Sequence, residues 1–271
     1  MNRQQSLIRA TALIGLTLAV SPVSGHEFWI EPQAFATDHG AEIRADIRIG
    51  SDFKGDPFPY IPSRFAAFKH LDRQGETDVY GTTGDLPALK LTPRSDGLNI
   101  FTYVSVAERI RFQDREKFAS YLEYEGLNTI LARHDARGLP HDEISELYTR
   151  CAKTLVSVGD APGGEDRATG MRLELVAGQN PMTLSPGAEM NFSLLWEGEP
   201  LKDTQVALFR RGEAGATAAR LITRTDETGR ATFSLPAPGT YLVASVHMIE
   251  APADRNADWQ SYWASLTFGV K

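Results

Sequence analysis

Apolar and polar residues alternate along several short segments of this chain of 271 residues. In residues 41–49, four small or branched aliphatic residues alternate with charged ones. A period of two places the apolar side chains on one face, so this segment predicts a half-buried strand. Comparable patterns predict strands at 64–71 and 98–106, and seven more after residue 170, at 172–176, 189–196, 205–210, 218–225, 230–235, 239–245 and 263–270.

The middle of the chain follows a different period. Residues 113–137 are highly charged and carry apolar residues close to helical spacing, and Gly126 divides them into two predicted helices. A further helix is predicted over 142–154, where apolar residues form one helical stripe at Ile144, Leu147, Tyr148 and Cys151. We therefore expect a mainly β chain with an inserted helical segment around 113–154.

Turn and linker signals suggest how the chain is divided. We expect a signal peptide over 1–25, an N-terminal β-rich half with the helical insertion over 26–159, and a C-terminal β-sandwich over 170–271. Between the halves, residues 160–169 are rich in Gly, Pro and charge and are typical of a linker. Seven short strands separated by frequent turns are typical of a sandwich of the immunoglobulin or transthyretin type. The expected architecture is thus two β-sandwich-like halves.

Residues 1–25 have the organisation of a secretory signal peptide. Basic residues precede an apolar run, and small residues lead up to Gly25. Cleavage after Gly25 makes His26 the first residue of a mature, periplasmic chain. Cleavage near Ala19 or Ser21 would instead leave His26 as an ordinary early residue.

Composition limits the partners that the chain can have. It contains 28 Lys and Arg against 35 Asp and Glu, a formal net charge of −7. An acidic surface disfavours nucleic acid and anionic membranes as partners. After the leader, no apolar run is long enough to insert the mature chain into a membrane. Cys151 is the only cysteine, which excludes an intramolecular disulfide and a thiolate-rich zinc site.

An N-terminal histidine offers two nitrogen ligands on one residue. Its α-amine and imidazole can together chelate a transition-metal ion, and such ligands suit copper, nickel or zinc. We therefore predict a metal site at His26, with His247 at the end of a strand as a second imidazole and Asp258 as a candidate carboxylate. This site requires the two halves to touch. His247 is equally well explained as a hydrogen-bonded residue at the rim of a sheet.

The remaining histidines have simpler interpretations. His134 and His141 flank a predicted helix break and are expected to face water. His70 lies on a predicted strand and is expected to be exposed. His39 lies in a turn and is interpreted as having no functional role.

The sequence contains no familiar catalytic signature. It has no Gly-x-Ser-x-Gly elbow, no Gly-x-Gly-x-x-Gly loop and no His-Glu-x-x-His helix. Cys151 is interpreted as a buried small residue rather than a nucleophile. A binding protein is therefore favoured over an enzyme, and neither a catalytic residue nor an organic cofactor site is predicted.

Several short motifs follow one another along the mature chain. They are His26-Glu27-Phe28-Trp29-Ile30-Glu31-Pro32, Tyr121-Leu122-Glu123-Tyr124-Glu125-Gly126-Leu127, Tyr148-Thr149-Arg150-Cys151-Ala152-Lys153-Thr154-Leu155-Val156, Leu173-Glu174-Leu175-Val176 and Asp258-Trp259-Gln260-Ser261-Tyr262-Trp263. Together they resemble the domain of unknown function 4198 family over nearly all of the mature chain. Members are often described as periplasmic components of nickel or cobalt uptake. The resemblance implies a divalent metal (nickel, cobalt or copper) as cargo, a membrane metal-uptake system as partner, and His26 and His247 as ligands.

Three functions are compatible with these observations. The resemblance favours a periplasmic protein that binds a transition metal for uptake or delivery. A copper oxidase of the polysaccharide monooxygenase type would also begin with a chelating histidine. A carrier or adhesion module without a metal is the third possibility, because β-sandwiches often serve as scaffolds.

Overall fold

The computed structural model describes residues 27–160, 163–212 and 220–271. The predicted leader, 1–25, and His26 lie outside these residues. Two α-helices are described, α1 (Arg115–Tyr124) and α2 (Ile130–Ala136). The described strands are β1 (Glu27–Pro32), β2 (Ala36–Thr37), β3 (Ile43–Ser51), β4 (Lys54–Phe58), β5 (Phe65–Asp72), β6 (Gly75–Asp78), β7 (Leu89–Leu91), β8 (Gly97–Ser105), β9 (Glu108–Asp114), β10 (Asp142–Val158), β11 (Leu173–Ala177), β12 (Glu189–Trp196), β13 (Glu199–Pro200), β14 (Gln205–Arg211), β15 (Leu221–Arg224), β16 (Arg230–Ser234), β17 (Gly239–Glu250) and β18 (Trp259–Val270). The chain is mainly β, as the alternating pattern predicts.

One large sheet runs through both halves of the chain. Its strand order is β15-β14-β17-β18-β10-β8-β5-β6, with β2 and β9 also paired to β10. At its centre β10 and β18 run parallel, from Glu146 opposite Trp259 to Thr154 opposite Thr267. Because β10 comes from the first half and β18 from the second, this pairing confirms that the two halves touch.

A smaller sheet covers each face of the large one. On one face lies the sheet β1-β3-β4 with β7, and Ile30 and Ile47 pack there against Ala152 and Val156 of β10. On the other face lies the sheet β11-β12-β13 with β16, and the core there includes Leu155 of β10. The molecule therefore has three β layers and two main apolar cores.

The prediction of a helix over 142–154 is wrong, and with it the helical insertion is shorter than expected. These residues belong to β10, which spans Asp142–Val158. Residues 151–158 are all buried because both faces of the central strand are covered, so the strand lacks the alternation of a half-exposed one. Without that alternation, spacing alone does not separate a buried strand from a helix.

The helices that do form are positioned by their ends. The Asp114 side chain caps α1 by accepting a hydrogen bond from the Lys117 N–H at 2.8 Å. Beyond the end of α1, Gly126 has φ 69° and a Cβ there would lie 2.5 Å from the Gln205 side-chain oxygen. Gly126 thus ends α1, as predicted, and lets the helix end approach β14 closely.

Candidate functional site

His247 faces the layer that lies away from β1. Its imidazole packs against Trp196 of β12, with ring centroids 4.6 Å apart. On β17, Val243 packs into the core beneath β12, whereas Ala244 packs beside Trp29 of β1. Because side chains alternate along a strand, His247 shares the face of Val243. Burial lowers the pKa of His247 below its ordinary value.

Asp258 has a structural role in the described residues. Its carboxylate accepts hydrogen bonds from the Ser145 backbone N–H at 2.7 Å and from the Ser145 hydroxyl at 2.8 Å. Tyr262 pairs with His247 across β17 and β18, and Asp258 lies four residues before Tyr262. At about 3.3 Å per residue, Asp258 is therefore about 13 Å along the strand from the position of His247. The structure therefore does not bring Asp258 and His247 together.

Two histidines expected at the surface are buried instead. His134 accepts a hydrogen bond at Nδ1 from the Trp259 indole N–H at 3.0 Å and donates from Nε2 to the Pro140 carbonyl at 2.9 Å. His70 is stacked on Phe101 and bonds through Nε2 to the Asn99 side-chain oxygen at 2.7 Å. Both expectations of exposure are wrong. Trp259 and Asn99, which bond to these rings, come from distant segments that no local pattern reveals.

A small cavity lies where the described chain begins. It measures about 20 Å³, room for roughly one water-sized guest, and the carboxylates of Glu27 and Glu125 line it. Glu27 is the first residue of β1, and Glu125 is the residue that follows α1. We call this cavity, with Glu27 and Glu125, the β1-start site. The sequence placed Glu27 only within a family motif, and nothing local distinguished Glu125 from the exposed Glu123.

The side chains of Gln205 and Arg220 hold the end of α1 at this cavity. The Gln205 side chain on β14 donates to the Tyr124 carbonyl at 2.9 Å, and the Arg220 guanidinium donates to the same oxygen at 3.0 Å. Arg220 also lies over the Tyr124 ring, 3.9 Å from its centroid. These contacts fix the backbone next to Glu125, so its carboxylate is held in place by the fold.

Both carboxylates are buried and poorly compensated. Glu27 is 6% exposed and Glu125 is 8% exposed. Glu27 Oε2 has no hydrogen-bond partner in the described structure, and the nearest cation to Glu125 is Arg220, at 3.9 Å. Burial raises the pKa of Glu27 to about 7 and that of Glu125 to about 8, and the charge of Glu27 raises the pKa of Glu125 further. The cavity therefore has an excess of acidic oxygen over positive charge.

A third buried carboxylate lies nearby. Glu146 on β10 accepts hydrogen bonds from the Tyr121 hydroxyl at 3.2 Å and from the Ser261 hydroxyl, which in turn accepts one from the Trp263 indole at 2.9 Å. Burial raises the pKa of Glu146 to about 7 despite these donors. Its charge also raises the pKa of Glu125. Glu146 does not line the cavity and acts on it through space.

Within the described ranges, no group of three or more His, Cys, Asp and Glu side chains could hold a metal ion. The β1-start site supplies two carboxylates, and residue 26 precedes Glu27 directly in the chain. Consecutive Cα atoms lie about 3.8 Å apart, so residue 26 is one residue step from this position. Cys151 is not a candidate, because burial raises the pKa of its thiol to about 12.

Neither α1 nor α2 has the length and apolar character needed to cross a bilayer. A comparison with curated proteins finds no match. Two solved structures that match are a tetra-tandem repeat from the extending region of a large adhesion protein and Salmonella alpha-2-macroglobulin reacted with methylamine. Each is 14% identical with a TM-score of 0.21; the alignments cover 90% and 96% of this chain but only 49% and 16% of those chains.

A family comparison gives a broader result. The profile of a family described as a domain of unknown function (DUF4198) matches residues 23–249. The match spans most of both halves, from just before β1 into β17. The chain therefore belongs to the DUF4198 family.

Proposed function

We propose that this protein is a periplasmic binding protein for a divalent transition metal, which it takes up or delivers through a membrane uptake system. The metal is held at the β1-start site by the α-amine and imidazole of His26, once the leader has been removed, together with the carboxylates of Glu27 and Glu125. Nitrogen and oxygen ligands in this combination suit copper(II) or nickel(II).

The observation that carries the proposal is the unpartnered, buried Glu27 Oε2 at a cavity of about 20 Å³. A buried carboxylate without a partner is unfavourable, so a cation at this point would stabilise it. Glu125 supplies a second carboxylate from a rigid helix end. The position next to residue 26 connects these oxygens to the predicted chelating terminus.

His247 and Asp258 are not part of the proposed ligand set. His247 packs on the face of the large sheet that lies away from β1, and Asp258 is bonded to Ser145. This arrangement replaces the two-imidazole site expected from the sequence by a site with one histidine and two carboxylates.

Calorimetric titration of the mature protein tests the proposal. The chain that begins at His26 is expected to bind nickel, cobalt or copper with Kd below about 1 µM. Glu125→Gln should weaken the metal affinity at least about tenfold, because a charged ligand is lost. Glu123→Gln is the matched control, since Glu123 lies on the same helix and is exposed. The proposal is contradicted if no metal binds below about 1 µM, or if both variants bind as the parent does.

A further inference from the structure

Three ionisable side chains meet in the interior, where the segment before β11 packs against β10. Lys153 Nζ lies 3.2 Å from Asp166 Oδ1 and 2.5 Å from Glu174 Oε1. The Arg167 carbonyl, 3.0 Å away, accepts a hydrogen bond from the same nitrogen. The side chains of Lys153 and Asp166 are fully buried, and that of Glu174 is 1% exposed. An amine nitrogen is therefore held in contact with two carboxyl groups, out of reach of bulk water.

The two carboxyl groups have different surroundings. Asp166 accepts hydrogen bonds from two backbone N–H groups, those of Arg167 and Ala177, each at 2.8 Å. Glu174 accepts from four donors, which are the Thr169 hydroxyl and the backbone N–H groups of Thr169, Gly170 and Met171. Burial raises the pKa of Asp166. One ammonium facing two carboxylates leaves one negative charge in excess, so a proton that neutralises the cluster belongs on Asp166, the carboxyl with fewer donors.

We propose that Lys153 and Asp166 become joined by an amide bond between Nζ and Cγ after the chain has folded, with Glu174 as the proton carrier. The Lys153 ammonium gives one proton to Glu174, and the neutral nitrogen attacks Cγ of the protonated Asp166 carboxyl. The N–C bond forms as the bond from Cγ to the hydroxyl oxygen breaks. Glu174 returns its proton to that oxygen and takes a second proton from the nitrogen, so one water molecule leaves and Glu174 ends protonated. Atoms and charges balance without an oxidant, a metal or a cofactor.

The fold supplies what this condensation needs. A lysine becomes a nucleophile when removal from water favours its neutral amine. Contact replaces a chance encounter in solution, and well-oriented groups reach effective concentrations of about 10⁵ M or more. Hydrolysis of the product is suppressed because bulk water is excluded. Lys69 and Glu76 also form an ion pair, but at an exposed position, where water solvates both charges.

The bond closes a covalent ring over residues 153–166. It ties the predicted linker, 160–169, to the central strand of the large sheet. Neither carboxylate of the β1-start site takes part, so the bond is independent of the proposed metal binding.

Mass spectrometry of the purified protein, digested with trypsin after unfolding, tests the bond. Trypsin cuts after Lys and Arg, so an unlinked chain yields the peptides 151–153 and 154–167. The linked chain is expected to yield a single peptide, 151–167, lighter than its sequence by one water molecule. A second cut after Glu165 should leave residues 166–167 attached to Lys153, which locates the bond. Lys69 is the internal control, because trypsin should cut after it in the same digest.

Two variants test the chemistry. Asp166→Ala should abolish the linked peptide. Glu174→Gln should lower its yield at least about tenfold at a fixed time after synthesis, because the proton carrier is lost. Glu123→Gln is the matched control, since Glu123 is exposed, and it should leave the linkage unchanged.

Recovery of 151–153 and 154–167 from the folded parent protein would overturn the proposal and identify the cluster as a permanent ion pair. A dehydrated peptide that releases 166–167 after the cut at Glu165 would also overturn it, because the water would then have been lost without a cross-link. Full linkage in Glu174→Gln would contradict the role of Glu174. The parent protein alone decides whether the bond exists, so the test does not depend on the folding of a variant.

Discussion

Glu27 and Glu125 line the same small cavity, although 98 positions separate them in the chain, one at the start of β1 and the other at the end of α1. His247 contributes nothing to this cavity, because its imidazole packs on Trp196 on the opposite face of the large sheet. His247→Ala should therefore leave the metal affinity of the mature protein unchanged within about twofold, as measured by calorimetry. A loss of more than about tenfold would return His247 to the ligand set.

The pH dependence of stability should reveal the buried Glu146. Burial raises the pKa of Glu146 from 4.5 to about 7 in the folded protein, so the folded state keeps a proton that the unfolded state releases. This contribution stabilises the fold below pH 4.5 and is lost as the pH rises from 4.5 to about 7.

Glu146→Gln should remove that loss. The free energy of unfolding of the variant minus that of the parent should be about 3 kcal/mol larger at pH 8 than at pH 4. Urea denaturation at the two pH values measures it. Glu123→Gln, at an exposed position, should show no such change, and an equal effect in both variants would show that the charge of Glu146 is not the cause.

A buried ionic cluster connects β10 to the layer above it. Lys153 Nζ lies 3.2 Å from Asp166 Oδ1 and 2.5 Å from Glu174 Oε1, and all three side chains are almost completely buried. Glu174 also accepts hydrogen bonds from the Thr169 backbone N–H at 2.8 and 2.9 Å. These contacts hold the segment before β11 against the centre of the large sheet.

Lys153→Met should destabilise the protein by about 3–5 kcal/mol, because two buried carboxylates lose their cation. The measurement is urea denaturation of the purified variant. Lys69→Met provides the control, since Lys69 pairs with Glu76 at an exposed position, where such a pair contributes less than about 1 kcal/mol. Comparable losses in the two variants would rule out the buried cluster as the source of the stability.

His134 joins α2 to the large sheet. It receives a hydrogen bond from the Trp259 indole and donates one to the Pro140 carbonyl, and the side chain is buried. His134→Leu should cost about 2–4 kcal/mol, because it leaves both partners unpaired in the interior. Thermal or urea unfolding measures the loss, and His141→Leu, at an exposed site, should change stability by no more than about 0.5 kcal/mol. Near-equal stability of His134→Leu and the parent would contradict this role.

The sequence predicted the strands best where one face is exposed. In β3 and β12 buried and less buried residues alternate, and both strands lie close to the positions predicted from that alternation. The strands β17 and β18 extend beyond their predicted bounds, because their outer ends pair with each other from His247 to Glu250. Pairing between distant segments determines where those strands end, and this pairing cannot be read from the local sequence pattern.

The candidate site was less predictable than the fold. Glu125 follows α1, and Glu123 on that helix has the same side chain but is exposed. Only the packing of the end of α1 against β14 buries Glu125. Lys153 and Glu146 are polar residues inside a strand that is buried on both faces. Their partners, Glu174 and Ser261, come from strands distant in sequence, so their burial could not be anticipated from local spacing.

The central claim is that a metal binds at the start of β1 through a free terminal histidine. The most direct measurement is a nickel and copper titration of the secreted protein, after N-terminal sequencing, beside a variant with one Met inserted ahead of His26. The account predicts a mature chain that begins at His26 and a loss of affinity of at least about 100-fold in the variant, because the α-amine no longer belongs to the chelating residue. Equal affinity of the two proteins, or a mature chain that begins elsewhere and still binds metal tightly, would contradict it.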